Sequence, residues 1–199
     1  MTYKKPTLDR RTTTAEILKQ RGKALIVAGL GAPCWDIAAA GDDPLNFYVW
    51  GGMGGAAMIG LGLALAQPGR RVLVITGDGE MLMGLGSLAT IAVQKARNLS
   101  ILVQDNERYG ETGMQLTHTR LGVDLAGMAK AAGFATTGTI CSAAQLKSWI
   151  PRLYKVPGPV FAVIKVKPDR LPMVLPPRDG TVLKNRFREA LLGPSALAV

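Results

Sequence analysis

The sequence is poor in several features that mark common classes of protein. Cysteine occurs only twice in 199 residues, as Cys34 and Cys141, and these two fit neither a CxxC motif nor a metal-ligand spacing. A reducing, cytoplasmic compartment is therefore the expectation. The polar first residues do not resemble a signal peptide, and the longest hydrophobic stretch, residues 54–66, is too short and too rich in glycine to span a bilayer.

Acidic residues are also few. The chain has 14 Asp and Glu against 24 Lys and Arg, which gives a net charge of +10 and a sequence pI of about 10.0. The basic residues cluster at residues 4–23 and 147–188 without interleaved aromatic residues or a known nucleic-acid reader motif. We therefore expect solvated faces or contact with an acidic partner subunit, and no nucleic acid. Neither GxGxxG nor GxxxxGK[ST] occurs, which argues against a plain nucleotide-binding domain.

The sequence does contain a regular alternation of apolar, β-branched runs and helical segments, with 48% apolar residues and 24 glycines. With short connections, this alternation predicts an α/β fold, namely a three-layer α/β/α domain with a mainly parallel sheet of about six strands. The expected strands are residues 24–28, 46–50, 71–76, 99–104, 134–140 and 160–166. The expected helices are residues 13–21, 34–40, 56–66, 81–96, 124–132, 142–150 and 183–191.

The pattern also predicts the limits of the domain. We expect residues 1–11 to be a polar, loose lead-in, residues 12–192 to form the domain, and residues 193–199 to be a tail. Thr13 and Glu16 have the spacing of a capping box, which places the start of the first helix at Thr13. Gly60 and Gly62, inside the helix at residues 56–66, each cost about 1 kcal/mol relative to alanine. Close packing against the sheet or a partner chain is the natural compensation.

The most informative pattern is Gly-Asp-Gly-Glu at residues 77–80, followed by Asp105-Asn106. Both follow predicted buried strands, and open α/β sheets bind ligands at the edge where such strands end. The Asp78 carboxylate and the Asn106 carbonyl oxygen suit Mg²⁺, which binds a few protein oxygens together with phosphate oxygens. The glycines let backbone N–H groups approach a phosphate closely. The pattern therefore predicts a Mg²⁺-bound diphosphate, and an ordinary turn capped by Asp78 is the alternative.

This pattern resembles the motif of thiamine-diphosphate-dependent enzymes, in which GDG is followed by a downstream asparagine. In that family the aspartate, the asparagine and a backbone carbonyl two residues further on hold the metal. The resemblance implies that these are Asp78, Asn106 and the carbonyl of Arg108. Two positions depart from the family pattern: Asp105 replaces a frequent second asparagine, and Glu80 replaces a small residue. We expect the Glu80 side chain to point away from the diphosphate, and we expect its backbone N–H to contact the diphosphate instead.

The resemblance also implies contacts to the rings of the cofactor. Thiamine diphosphate must fold into a V, and a large apolar side chain between its rings enforces this shape. Met53 is the expected wedge, and the carbonyl of Gly51 the expected acceptor for the 4′-amino group; a glycine-rich turn with a core methionine is the alternative. The turn at Gly29 and Gly31 is a further candidate for diphosphate contact. The complete expected set is Gly29, Gly31, Gly51, Gly52, Met53, Gly77, Asp78, Gly79, Glu80, Asn106, Arg108, Tyr109 and Gly110.

Other segments narrow the resemblance to the β subunit of sulfopyruvate decarboxylase and the matching half of phosphonopyruvate decarboxylase. They are residues 46–48, 51–54, 86–92 and 106–119 and the pair Arg186-Phe187. The resemblance implies a carboxy-lyase that uses thiamine diphosphate and Mg²⁺ to convert a small 2-oxo acid into CO₂ and an aldehyde.

Several polar residues are candidates for contact with that substrate. His118, the only histidine, is the catalytic candidate for substrate binding or proton transfer, and a structural or solvated role is the alternative. A second anionic group on the substrate, such as a sulfonate or phosphonate, requires a basic side chain. Arg108, Arg120 and Lys95 are the candidates within this chain, and any residue of a partner is another.

One part of the family's active site is missing from the sequence. Thiamine catalysis needs a glutamate beside the pyrimidine ring, and this glutamate belongs to a separate pyrimidine-binding module. None of the glutamates of the sequence has a setting that resembles it: Glu16, Glu80, Glu107, Glu111 and Glu189. The resemblance therefore implies an α-type partner subunit in a hetero-oligomer of two-fold symmetry. The alternatives are a carboligase or oxoacid dehydrogenase component with the same cofactor, and a non-catalytic cofactor-binding or regulatory protein.

Overall fold

A six-stranded parallel sheet forms the centre of the computed structural model, which describes residues 5–197. The order of its strands is β2-β1-β3-β4-β8-β7, and a separate antiparallel hairpin is formed by β5 and β6. The bounds are β1 (Leu25–Ala28), β2 (Asn46–Tyr48), β3 (Val72–Gly77), β4 (Leu99–Asp105), β5 (Arg108–Tyr109), β6 (Gln115–Leu116), β7 (Thr136–Ile140) and β8 (Val160–Lys165). The central strands β3 and β4 are buried along almost their whole length, as parallel strands covered on both faces must be.

Helices cover both faces of this sheet, which confirms the predicted α/β/α layers. One hydrophobic core lies between the sheet and α3, α5 and α6, and a second lies between the sheet and α1, α2 and α7. The bounds are α1 (Arg10–Leu18), α2 (Ala32–Ala39), α3 (Ala56–Ala66), α4 (Asp78–Met83), α5 (Ser87–Gln94), α6 (Leu125–Ala132), α7 (Ala143–Lys155) and α8 (Gly180–Leu192). Helix α8 packs beside the edge strand β2, where Phe187 and Phe47 meet edge to face at 5.6 Å.

The strand register brings polar residues together at one edge of the sheet. Gly77, at the end of β3, pairs with Gln104 of β4, and Asp105 pairs with Lys165 at the end of β8. The strand order reverses direction between β1 and β3. In a parallel sheet the carboxyl edge beside such a reversal is where a ligand crevice forms.

The start of the chain differs from the prediction. Asp9 caps α1 by accepting the N–H of Thr12 at 2.7 Å, so the helix begins one turn before Thr13 and crosses the expected boundary at residue 11. Leu8 forms a parallel bridge with Val166, so the expectation of a loose lead-in is wrong for these residues. Residues 1–4 of the expected lead-in and residues 198–199 of the expected tail lie outside the described residues.

The helix predicted at residues 81–96 is two helices, α4 and α5, with a break at residues 84–86. At the break, a Cβ added to Gly84 would lie 2.2 Å from the carbonyl oxygen of Gly54. The backbone of Gly54 therefore rests directly on the end of α4. In α3, a Cβ on Gly60 would lie 2.2 Å from the Val74 side chain, which explains why residue 60 is a glycine. A Cβ on Gly62 would have no atom within 4 Å, so packing within this chain does not explain that glycine.

Two irregular segments lie at the carboxyl edge. Between β4 and α6, the β5–β6 hairpin is followed by a 3₁₀ helix, His118–Leu121. Within the described residues, the proline-rich segment 167–179 contains neither helix nor strand. The Arg11 guanidinium donates to Pro172 O at 2.7 Å and the Trp50 indole donates to Pro177 O at 2.9 Å, so this segment is tied to the body of the domain.

None of the helices in residues 5–197 combines the length and the apolar character that a bilayer-crossing segment requires.

Candidate active site

A cavity of about 540 Å³ opens at the carboxyl edge, among the segments that follow β1, β3, β4 and β8. Four separate segments of the chain bring most of the expected cofactor contacts into its wall. Those that line it are Gly31, Met53, Gly77, Asp78, Gly79, Glu80, Asn106, Arg108, Tyr109 and Gly110.

Asp78 is the first residue of α4 and is only 2% exposed. The hydroxyl of Thr117 donates to its Oδ2 at 2.5 Å. Burial raises the pKa of Asp78 to about 7, and the nearby negative charge of Asp105 contributes to this shift. A buried carboxylate in this environment is stabilised by a bound cation, because the cation offsets both the lost hydration and the repulsion.

Asp105 is buried beside Asp78 and has a cation of its own. Lys165 Nζ lies 2.7 Å from Asp105 Oδ2 and 3.1 Å from Glu107 Oε1. Burial acts to lower the pKa of Lys165, but the two carboxylates outweigh it and raise that pKa. The Thr119 hydroxyl lies 2.8 Å from Asp105 and 3.2 Å from Asp78, so its single proton is shared between the two carboxylates. Lys165 thus balances the negative charge of Asp105. An asparagine at this position, which is frequent in the family, would have no such charge.

Asn106 follows β4 and lines the cavity. Its side-chain oxygen accepts the N–H of Arg108 at 2.9 Å, which closes an Asx turn and leaves a second lone pair for a cation. The described residues contain no group of three or more His, Cys, Asp or Glu side chains placed to hold a metal ion. Asp78 and Asn106 could hold a cation at this edge through one carboxylate oxygen and one amide oxygen. This oxygen-only set suits Mg²⁺.

The two glycines beside Asp78 serve different purposes. A Cβ built on Gly77 would have no atom within 4 Å, so the packing of the chain does not itself require glycine there. The open space over Gly77 belongs to the cavity, so a ligand can approach the backbone closely at this residue. A Cβ on Gly79 would lie 2.5 Å from the ring of Tyr109, so this glycine lets the β5–β6 hairpin pack onto α4.

Glu80 directs its carboxylate into the turn after β1. Its Oε2 accepts the Thr76 hydroxyl at 2.7 Å and the Leu30 N–H at 2.9 Å, and burial raises its pKa. A Cβ on Gly29 would lie 2.1 Å from the same oxygen, and the N–H of Gly29 donates to Ile75 O. The structure therefore does not bring Gly29 to the cavity wall. Gly29 makes room for Glu80 instead, and of the two predicted turn glycines only Gly31 lines the cavity.

Met53 lies at the mouth of the cavity. Its side chain is 37% exposed, so the alternative of a core methionine is wrong. Gly51 and Gly52 are exposed and are not part of the cavity wall of this chain. Their expected contacts to the pyrimidine ring stay a prediction.

The remaining predicted polar residues lie elsewhere. His118 is exposed and is not part of the cavity wall, although its neighbours Thr117 and Thr119 hold Asp78. Its catalytic role stays a prediction. Lys95 follows α5 and precedes β4, so it lies at the opposite edge of the sheet from the cavity. The prediction that Lys95 contacts the substrate is therefore wrong. Arg120 lies 3.8 Å from Glu107 outside the cavity wall, whereas Arg108 is part of it.

Several residues of the cavity wall were not predicted. They include Arg10, in the supposed lead-in, and also Trp35 of α2 and Gln104 of β4. The segment after β8 contributes residues 169–171 and Met173. Only the packing of α1, α2 and this segment onto the sheet brings these residues together.

Comparison with known proteins shows which family this chain is similar to. The family model described as "Thiamine pyrophosphate enzyme, C-terminal TPP binding domain" matches residues 38–164. The chain is 38% identical over 169 residues to sulfopyruvate decarboxylase subunit beta of Methanothermobacter thermautotrophicus, covering 85% of this chain and 88% of that subunit. It is 34% identical over 178 residues to phosphonopyruvate decarboxylase of Streptomyces viridochromogenes, covering 87% of this chain and 43% of that enzyme.

A solved structure shares the fold. Benzoylformate decarboxylase from Polynucleobacter necessarius superposes with a TM-score of 0.66 and 20% identity, over 85% of this chain and 36% of that chain. At this identity the similarity shows the fold alone. Because the family model matches well over half of the chain, and the identity to the Methanothermobacter subunit extends over most of both sequences, the chain belongs to the thiamine pyrophosphate enzymes and contains their C-terminal TPP-binding domain.

Proposed function

We propose that this chain is the β-type subunit of a thiamine-diphosphate- and Mg²⁺-dependent decarboxylase of small 2-oxo acids, of the sulfopyruvate or phosphonopyruvate type. The observation that carries the proposal is the convergence of Asp78, Asn106 and the open space over Gly77 on one cavity. The names of the two relatives support the reaction class, which releases CO₂ and an aldehyde.

The residues of this chain would anchor the diphosphate and its metal. Asp78, Asn106 and the carbonyl of Arg108 would hold Mg²⁺, and Thr117 and Thr119 would fix the orientation of the aspartate. Backbone groups at Gly31, at residues 77–80 and at residues 109–110 would bind the phosphate oxygens. All of these but the two threonines are part of the cavity wall, which supports their common role.

Met53 would hold the cofactor in its folded shape, because a large apolar side chain at the mouth of the cavity meets the rings rather than the phosphates. The carbonyl of Gly51 would accept the 4′-amino group. When bound, thiamine diphosphate supplies a carbon nucleophile and an electron sink for the electron pair that the departing carboxylate leaves behind.

An α-type partner would complete the site. The chain spans 88% of the Methanothermobacter subunit but only 43% of the Streptomyces enzyme, so the longer enzyme has room for a second module. That module, here a separate chain, would supply the glutamate beside the pyrimidine ring. A hetero-oligomer with two-fold symmetry is the assembly we propose.

The test is native mass spectrometry of the tagged chain, purified from its own host with Mg²⁺ and thiamine diphosphate. The recovered sample is then incubated with sulfopyruvate and with phosphonopyruvate, and the products are analysed. We expect a complex with a second chain, bound cofactor, and formation of CO₂ and an aldehyde.

Other outcomes would redirect the proposal. A hydroxyketone or an acyl-transfer product would favour a carboligase or an oxoacid dehydrogenase component. Decarboxylation by the isolated chain would contradict the shared site. A lone chain without bound cofactor would favour a non-catalytic role.

A further inference from the structure

Behind the metal residues, four charged side chains form a continuous row, which we call the charge row. Lys165 lies between two carboxylates, 2.7 Å from Asp105 Oδ2 and 3.1 Å from Glu107 Oε1. Arg120 lies 3.8 Å from the other oxygen of Glu107. The signs of the charges alternate along the row, so its two negative and two positive charges cancel.

The charge row does not line the cavity. Asp105 is 1% exposed and Glu107 is 5% exposed. The wall contains Asp78 and Asn106 but none of the four side chains of the row. The row therefore acts on a ligand in the cavity through its electric field and through the residues that it contacts, and not by direct binding.

One hydroxyl connects the charge row with the metal carboxylate. Thr119 Oγ1 is 3.2 Å from Asp78 Oδ2 and 2.8 Å from Asp105 Oδ1. These two carboxylate oxygens are therefore no more than about 6 Å apart, a distance at which charges act strongly on each other. Among the residues that the structure describes, Asp78 forms no ion pair, whereas Asp105 and Glu107 both do. The carboxylate without a cation is thus the one that lines the cavity.

The net charge of the row has opposite effects on the two ligands of the proposed site. One ligand, Mg²⁺, is positive, and the other, the diphosphate, is negative. A net negative charge behind Asp78 would attract the cation and repel the anion, and a net positive charge would do the reverse. A neutral row does neither, so both ligands can bind in the same place.

We propose that Lys165 is a positioning residue of the metal and diphosphate site: by neutralising Asp105, it balances the affinity of the site between the cation and the anion. The inference rests on the proposed function for the identity of the two ligands. The role of Lys165 can nevertheless be measured by binding alone, without turnover.

The test measures the two ligands separately on the full chain, with whichever partner chain co-purifies. Mn²⁺ suits the same oxygen ligands as Mg²⁺, and its electron paramagnetic resonance signal reports binding. It is titrated without diphosphate. Thiamine diphosphate is titrated by calorimetry at saturating Mg²⁺.

Two substitutions shift the charge of the row in opposite directions. Lys165→Met removes a positive charge, so Mn²⁺ should bind about tenfold more tightly and thiamine diphosphate about tenfold more weakly. Asp105→Asn leaves an excess positive charge, so both changes should have the opposite sign. The double variant is neutral again, and both affinities should return to within about threefold of wild type.

Two further variants serve as controls. Lys165→Arg keeps the charge, so neither affinity should change by more than about threefold. Lys155→Met removes the same charge as Lys165→Met, but Lys155 ends α7 at the opposite edge of the sheet. It should leave both affinities unchanged.

The opposite signs are the deciding observation, because a purely structural role would weaken the binding of both ligands. Changes of the same sign for the two ligands, or no change in Asp105→Asn, overturn the inference. Asp105→Asn decides the question even if Lys165→Met does not fold, because Lys165 keeps its contact with Glu107.

The same titrations distinguish this inference from the proposed function. A wild type that binds neither Mn²⁺ nor thiamine diphosphate would contradict the proposed function, and the inference with it. A wild type that binds thiamine diphosphate, with no difference between Lys165→Met and Asp105→Asn, would contradict the inference alone.

Discussion

Among single residues, Asp78 is the one on which cofactor binding should depend most. Asp78→Asn keeps the shape of the side chain but removes its charge. We expect binding of thiamine diphosphate with Mg²⁺ to weaken by about 100-fold or more, since changes to residues behind a metal ligand already cost about 10–100-fold. Calorimetric titration measures the loss. Asp124→Asn is the matched control, because Asp124 caps α6 outside the cavity wall. An equal loss in both variants would contradict the role of Asp78.

The raised pKa of Asp78 also predicts how the metal-free chain responds to pH. The folded-state pKa of about 7 lies above the ordinary pKa of an aspartate, 3.8, so the folded chain binds the proton more tightly than the unfolded chain. The resulting stabilisation is complete below about pH 4 and is lost as the pH rises to 7, by at most about 1.4 kcal/mol per pH unit. With a chelator present, wild type should therefore lose free energy of unfolding relative to Asp78→Asn between pH 5 and pH 7.

Denaturant unfolding of both proteins at the two pH values tests this directly. Added Mg²⁺ should flatten the difference, because the cation favours the ionised carboxylate. A difference between the two proteins that is the same at pH 5 and pH 7 would show that Asp78 does not titrate in this range.

At the scale of elements, the hydrophobic pattern located the central strands β3 and β4, because each is a largely apolar run buried on both faces. It did not locate every helix end. Thr13 has a capping-box partner in Glu16, yet Asp9 caps α1 one turn earlier, and local sequence does not decide between two good caps. The break between α4 and α5 escaped prediction for a different reason. At the break, Gly84 packs closely against Gly54, and the local sequence does not reveal this contact with a distant loop.

This contact gives a prediction about the loop that carries Met53. In Gly84→Ala the new methyl group would overlap the carbonyl oxygen of Gly54, so the loop at residues 51–55 must move. We expect a loss of about 1–3 kcal/mol in the free energy of unfolding, the usual cost of overpacking, together with weaker thiamine diphosphate binding.

Gly86→Ala is the control for this substitution. Gly86 lies two residues away in the same break, and a Cβ there meets no atom within 4 Å. Its φ of −59° suits alanine, so stability should stay the same or rise by about 0.4–1 kcal/mol. If the two variants behave alike, contact with Gly54 is not what positions the loop.

At the scale of the whole molecule, the candidate site was predictable only where a motif follows a strand. Asp78 and Asn106 come after two predicted apolar strands. The sequence pattern therefore predicts that they lie at the same edge of the sheet. Arg10 and Trp35 belong to helices whose local sequence gives no sign of a cavity, and only the packing of α1 and α2 brings them to it. Gln104 did leave a trace, as a polar side chain on a strand that is buried along its whole length.

The proposed partner must cover the mouth of the cavity to bring its glutamate to the cofactor. Large apolar side chains are exposed on Met53 and on the two helices next to its loop: Met53 is 37% exposed, Met58 on α3 is 40% exposed and Met83 on α4 is 67% exposed. Met83 is also close to the glycine-rich loop, since a Cβ on Gly54 would lie 3.3 Å from its Cγ. Apolar groups exposed together at a site are typical of an interaction surface.

Met83→Glu therefore tests where the partner binds. The side chain is exposed in the isolated chain, so stability should change by no more than about 0.5 kcal/mol. Burying the new charge against an apolar partner surface is unfavourable, so the complex should weaken or be lost in native mass spectrometry. Val182→Glu is the control, because Val182 is 50% exposed on α8 beside the edge strand β2. If Met83→Glu retains the partner as well as Val182→Glu does, the partner reaches the cofactor across a different face of the domain.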